Sequence, residues 1–418
     1  MEAIKNKAHK ALRWSERYTK TDMVYLAKGG FWQTVGQTVT SILSLVLLIF
    51  FANFLPKETY GLYKYILSLA SILSIFTLTG MNQAVTQAVA TGNDSALRTS
   101  VSYQIKWNLL ASSTFWVVSG YYFFHSNLPV AGSLLILGIF SPLSLALNTY
   151  GAYLEGKRAF RLSNLFSIIS TTVYVIGMIT AILLSKNIAW LIVAYSLVTF
   201  GTNLILYIIT IRMFRVTTAP ADHVLKYGRN LTFIGLVGTI VSQVDSLILN
   251  HFWGPIQLAI YSLATAIPNR AISFTKSWVN ISFPKFATKT SEEINASFYR
   301  RIFQGLAVGL LLTILYAVSA PFLFKLLIPK YLDSVFYSQI LMISLVFAIP
   351  NRYLSVLFTA KKMTRLIFIN GLVQSFIRIL LYIILGIWGG VLGLVFAQVL
   401  NSLISMIINI TLWRTKQV

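Results

Sequence analysis

The sequence predicts an all-α polytopic membrane protein, with about twelve transmembrane helices in two pseudo-symmetric six-helix bundles. Three observations predict it. The 418 residues are 56% hydrophobic and only 11% charged, with a mean hydropathy of +0.72; a soluble domain is about one-quarter charged. Apolar stretches close to the roughly 20 residues needed to cross a bilayer recur along the whole chain. The second half of the chain also repeats features of the first.

The stretches run over 30–54, 60–80, 99–124, 131–153, 163–184, 188–211, 230–252, 257–283, 300–324, 335–358, 365–386 and 389–412. The second and eighth are expected to continue as polar helices. Shifting the sequence by 198 places Gly30, Thr34 and Ser44 on Gly228, Thr232 and Ser242. The same shift places Phe54, Gly61 and Tyr63 on Phe252, Ala259 and Tyr261. A shift of 204 places Lys157, Arg158, Arg161 and Leu162 on Lys361, Lys362, Arg365 and Leu366. Two such halves in one orientation are parallel repeats about an axis along the membrane normal, with a cleft between them suited to alternating access. The chain then divides into a basic N-terminal segment 1–28, a bundle 29–211, a linker 212–228 and a second bundle 229–418.

Lys and Arg alternate sharply between the connections. The N-terminal segment, the even-numbered connections and the C-terminal tail hold 24 of the 34 cations, and the opposite side holds Lys57, Lys64, Lys186, Lys325 and Lys330. The positive-inside rule therefore puts both termini in the cytoplasm, as an even number of spans requires. Met1–Lys28 is too charged for the core of a cleavable signal. It reads as an amphipathic helix on the anionic inner leaflet or as a solvated basic tail. The net charge of +23 is that of cytoplasmic loops rather than of a nucleic-acid binder.

Five cations remain inside spans: Lys106, Arg270, Lys276, Arg352 and Arg378. A charge at mid-membrane costs about 2.5–3.5 kcal/mol on insertion scales. One carboxylate, Asp245, lies at comparable depth and cannot pair with all five. The rest are expected to face water or a bound anion, and arginine suits a phosphate or pyrophosphate because its fork makes bidentate contacts. Snorkelling to the headgroups also accounts for Lys106, Lys276 or Arg352, but less well for Arg270 and Arg378. Asp245 is a candidate for H⁺ or Na⁺ coupling, or equally a counter-ion to Arg270 or Arg378.

Polar residues at helical spacing mark candidate cavity walls. The first span carries Gln33, Gln37, Thr40, Ser41 and Ser44. The eighth carries Ser262, Thr265, Asn269, Ser273, Lys276 and Asn280. The tenth carries Ser344, Asn351, Arg352, Ser355 and Thr359, and the eleventh Gly371, Gln374, Ser375, Arg378 and Tyr382. The hydroxyls are equally suited to simple helix packing. Ala-Ile-Pro-Asn-Arg occurs twice, at Ala266–Arg270 and Ala348–Arg352, where proline is expected to kink the helix.

The sequence has no cysteine and four scattered histidines, which leaves no metal-ligand spacing and no thiol nucleophile. No Walker A, dinucleotide-binding or zinc-protease pattern is present. Neither a cofactor nor a catalytic residue is expected, so the chain reads as a non-enzyme.

Leu55-Pro56-Lys57-Glu58-Thr59-Tyr60-Gly61-Leu62-Tyr63 resembles the "LGPEEYGLY" signature of polysaccharide flippases in the multidrug/oligosaccharidyl-lipid/polysaccharide exporter superfamily. Gly80-Met81-Asn82-Gln83-Ala84 and Leu154-Glu155-Gly156-Lys157-Arg158 resemble that family's glycine-led end of the second span and its glycine-basic turn between spans four and five. Gln87 stands where relatives often carry a basic residue. The resemblance implies a V-shaped transporter in the cytoplasmic membrane of a prokaryote. It would move undecaprenyl-pyrophosphate-linked oligosaccharide, such as an O-antigen unit, to the outer leaflet for surface polysaccharide assembly. Its expected partners are that lipid-linked substrate, membrane lipids, and a polysaccharide polymerase and glycosyltransferases. The alternatives are a cation-coupled multidrug exporter of the same superfamily, a membrane polysaccharide polymerase or ligase, and a non-transporting lipid scaffold.

Overall fold

The computed structural model describes residues 23–217, 222–281, 291–361 and 363–415. Most of the expected amphipathic segment 1–28 lies outside them. The described residues form helices and no strand. In order these are α1 (Met23–Phe54), α2 (Lys57–Leu73), α3 (Met81–Ala90), α4 (Ala96–Phe124), α5 (Leu128–Leu147), α6 (Thr149–Gly156) and α7 (Phe160–Leu184). They continue as α8 (Ile188–Phe214), α9 (Asp222–Val241), α10 (Val244–Ile281), α11 (Ser291–Leu327), α12 (Asp333–Met342), α13 (Ser344–Ala360) and α14 (Thr364–Thr415).

Nine stretches among the described residues are long and apolar enough to cross a membrane. Two of them, His223–Ser273 and Arg365–Thr415, are 51 residues long. A straight helix of that length would reach about 77 Å, more than twice the hydrocarbon core. Each instead turns at a glycine: Gly254 at φ 82° and Gly390 at φ 55°. Positive φ costs a residue bearing a Cβ about 1–2 kcal/mol, which explains glycine at both reversals. Each long stretch is thus two spans. The 29-residue α4, polar at Lys106 and Asn108, completes the expected twelve. Many large apolar side chains face outward, among them Leu109 at 76% and Val318 at 78% exposed. A water-facing monomer rarely shows such a surface, and hydrocarbon solvates it.

The span ends follow local chemistry. Asn127 accepts a hydrogen bond from Val130 N at the start of α5, and Asn187 accepts one from Ala189 N at the start of α8; both satisfy N–H groups the helix leaves open. The second span breaks at Leu78, where φ is 58°, and α3 follows as the expected polar continuation. The fourth and tenth spans each contain a break, at Asn148 and Ile343. The two Ala-Ile-Pro-Asn-Arg segments are continuous helix through Pro268 and Pro350.

The chain packs as two compact units. Among the described residues, one comprises those from 23 to 50 and from 73 to 236, the other those from 51 to 72 and from 237 to 415. The first is centred on Met81, Val85, Leu97, Tyr153, Leu154 and Leu206. The second has clusters around Leu354, Leu357 and Trp413, and around Tyr316, Ala320 and Leu345.

The signature glycines mark close helix contacts. A Cβ on Gly61 would sit 1.7 Å from the Pro255 carbonyl oxygen, and one on Gly80 2.3 Å from Thr232 N. One on Gly156 would lie 2.7 Å from Thr86 O. Tyr60 and Tyr63, flanking Gly61, are fully buried against Phe51. Beside Gly156, Lys157 pairs with Asp94 at 2.6 Å.

Candidate functional site

In the second unit, a charged cluster gathers on α10 and α14. The helix of the seventh span is interrupted at Ser242–Gln243 and restarts at Val244. That puts Asp245 in a first helical turn, where exposed N–H groups favour a carboxylate. Ser246 N donates to Asp245 Oδ1 at 2.7 Å, and Tyr261 Oη donates to Oδ2 at 2.9 Å. Tyr261 stands on α10 after the Gly254 reversal. Arg378, on α14, lies within electrostatic reach of Asp245 but makes no salt bridge with it. The Arg378 guanidinium lies 5.0 Å from the ring centroid of Tyr382, which is fully buried; this is cation–π range. Its Nε is buried and has no hydrogen-bond partner among the described residues.

Gln374 lies one turn before Arg378 and begins an amide ladder. Gln374 Nε2 donates to Asn370 Oδ1 at 2.9 Å, Asn370 donates to Asn409, and Asn409 donates to Asn351. The ladder ties the eleventh span to the twelfth and the tenth. Asn370 and Asn409 were not singled out from the sequence; their polarity within apolar helices was the available signal. Arg352, next to Asn351, is half-buried.

Arg270 is half-buried on α10 and close enough to Lys64 of α2 for mutual repulsion. Lys64, counted from sequence as a connection residue, is half-buried within the span Lys57–Thr77. Lys57, by contrast, pairs with Asp333 at 2.6 Å. Asn269 is exposed and accepts from Gln398 Nε2 at 3.4 Å. The Lys276 side chain lies outside the described residues. Lys106 belongs to the first unit and is exposed on α4, beside the exposed Ile105 and Leu109.

The first unit holds a cavity of about 600 Å³. Gln33, Gln37 and Thr40 of α1 line one side, as their four- and three-residue spacing predicts. Asn148, Tyr150 and Glu155 line another, and Ser163, Asn164, Ser167 and Ser170 of α7 a third. A Cβ on Gly36 would meet Asn164 Oδ1 at 2.2 Å, so glycine there lets α1 and α7 close the wall. Among the described residues, no Lys or Arg lines this cavity. Glu155 was read from sequence only as part of a turn; its place on the wall depends on α7 folding back beside α1.

The fold is that of several solved transporters. The lipid II flippase MurJ, in an inward closed conformation, superposes with a TM-score of 0.73 at 15% identity, over 90% of this chain and 86% of that one. An inward-facing multidrug resistance MATE family transporter of the MOP superfamily gives 0.68 at 13% identity, over 91% and 95%. A MOP superfamily transporter from Pyrococcus furiosus, described by a reverse polarity of its binding pocket, gives 0.59 at 14% identity, over 94% and 95%. No curated protein sequence matches. The family model described as "Polysaccharide biosynthesis protein" matches residues 26–290. With that match over more than half its length, and with the fold of the MOP transporters, the chain belongs to the polysaccharide biosynthesis protein family.

Proposed function

We propose that this protein is a flippase. It carries undecaprenyl-pyrophosphate-linked oligosaccharide from the inner to the outer leaflet by alternating access, for surface polysaccharide assembly. Its termini lie in the cytoplasm and the membrane is the cytoplasmic one, as the Lys and Arg bias indicates. The observation that carries the reading is the charge inventory of the second unit. Lys64, Arg270, Arg352 and Arg378 lie within spans, and Asp245 is the acid in electrostatic reach of Arg378. Charge of that sign at membrane depth suits a transported anion, and guanidinium groups suit pyrophosphate. Arg270, Arg352 and Arg378, with Lys276 and Lys106, take the anionic part of the substrate. Asp245 either carries a coupling H⁺ or Na⁺ or holds Arg378 in place. The polymerase and glycosyltransferases act before and after the translocation step.

The test is complementation of a strain lacking its own flippase. Arg270→Ala and Arg378→Ala should each abolish surface glycan while the protein still inserts, and Arg378→Lys should retain partial function. Normal export by both alanine variants would overturn the reading. Efflux of cationic dyes by cells overproducing the protein, without glycan export, would establish the multidrug exporter instead.

A further inference from the structure

Six side chains on the wall of the first unit's cavity have no hydrogen bond or ion pair among the described residues: Gln33, Gln37, Glu155, Ser163, Ser167 and Ser170. They supply amide and hydroxyl donors, amide and hydroxyl acceptors, and one carboxylate. Two aromatic residues, Tyr150 and Phe160, also line the cavity. The volume, about 600 Å³, falls inside the range of small-molecule sites. A ligand matching this wall is rich in hydroxyls, with apolar C–H faces for the rings. A saccharide has both.

The charge of the wall narrows the class further. Glu155 is exposed within the cavity lining, at the end of α6. Among the described residues the lining includes no Lys or Arg. Lys157 is held by Asp94 at 2.6 Å, and the Arg161 guanidinium lies 5.2 Å from the centroid of the Trp32 ring. A carboxylate on the ligand would therefore meet Glu155 with no lining cation to offset it. Like charges brought together in this way discriminate strongly between ligands.

We infer that the cavity of the first unit is a saccharide subsite for neutral or amino-bearing sugars, and that Glu155 excludes acidic ones. The inference rests on the flippase reading and adds the class of glycan. Anionic groups on the carrier lipid belong with the span cations named above, none of which lines this wall.

The experiment uses the full chain in proteoliposomes. The probes are polyprenyl-pyrophosphate disaccharides bearing either neutral hexoses or one uronic acid, and transport is read as protection from a membrane-impermeant reagent. The wild type should move the neutral lipid about tenfold faster than the uronate lipid. Glu155→Gln should largely erase that preference, through faster uronate transport. Ser167→Trp, which fills the cavity, should slow the neutral lipid by about tenfold. Equal wild-type rates for the two lipids would overturn the subsite while leaving the flippase reading intact. So would wild-type transport by a folded Ser167→Trp protein. If the wild type moves neither lipid, the flippase reading fails, and calorimetric titration of the purified protein with the free neutral disaccharide decides the subsite alone. Saturable binding, lost in Ser167→Trp and weaker for the uronate sugar, would sustain it. No binding, or tighter binding of an organic cation such as ethidium, would overturn it.

Discussion

Gly61→Ala adds one methyl group where α2 crosses the start of the eighth span. The new Cβ would stand 1.7 Å from the Pro255 carbonyl oxygen, 2.5 Å from its carbon and 3.0 Å from its Cα. An ordinary carbon–oxygen contact is about 3.3 Å or more, so the two backbones must separate by roughly 1.6 Å. No rotamer change relieves the clash, because the obstacle is main chain. Pro255 has its φ locked by the ring, and it follows the Gly254 reversal at φ 82°. Core overpacking by a methylene usually costs about 1–3 kcal/mol, and a backbone obstacle puts this case at the top of that range. A loss of about 3 kcal/mol lowers the folded-to-unfolded ratio by roughly two orders of magnitude. The assay is thermal loss of monodispersity of the purified protein in detergent. Gly132→Ala on α5, with nothing within 4 Å of the new Cβ, is the control; it should be neutral or stabilising by up to about 1 kcal/mol. Indistinguishable melting of Gly61→Ala and wild type would refute the argument that this glycine is required by close approach.

The other predictions concern the polar contacts and the second reversal. Asn409→Leu removes the centre of the amide ladder and leaves Asn351 and Asn370 each short of a partner. An unsatisfied buried group costs about 1–3 kcal/mol, and adding Asn370→Leu should then cost less than it does alone, as measured by a double-mutant cycle of melting temperatures. Gly390→Ala forces a Cβ into φ 55° and to 3.0 Å from the Trp253 ring; the conformational part alone costs about 1–2 kcal/mol, and Gly389→Ala, with open space around it, should not share the loss in the same melting assay. Lys157→Ala breaks the pair with Asp94, whose side chains are 30% and 34% exposed; such a pair contributes about 1 kcal/mol or less, and the difference from wild type should shrink when melting is repeated in high salt.

Some of the candidate site is legible in the sequence. Gln33 and Gln37 were picked from helical spacing, and they line the first unit's cavity together with Thr40. Asp245 was picked because a carboxylate in an apolar span is costly, and it lies in electrostatic reach of Arg378, one of the two counter-ions anticipated. Glu155, Asn370, Asn409 and Lys64 were passed over for one shared reason. Each lies near a span end or in a turn, and its importance comes from residues far away in the chain: bonded or charged neighbours for Asn370, Asn409 and Lys64, and the facing cavity wall for Glu155. Asn409 meets Asn351 across 58 residues, and Lys64 nears Arg270 from another helix altogether.

By itself the sequence determined that this chain spans a membrane about twelve times and that its apolar segments hold more positive than negative charge. Those properties are sums or spacings within one segment, and water and hydrocarbon enforce them locally. Only the tertiary structure decided that Asp245 bonds to Tyr261, that three spans share an amide ladder, and that Glu155 faces a cavity whose other described lining residues are uncharged. Hydropathy is indifferent to which faces of two helices meet. Side-chain shape and hydrogen-bond geometry between distant segments settle that, and they exist only once the helices have packed.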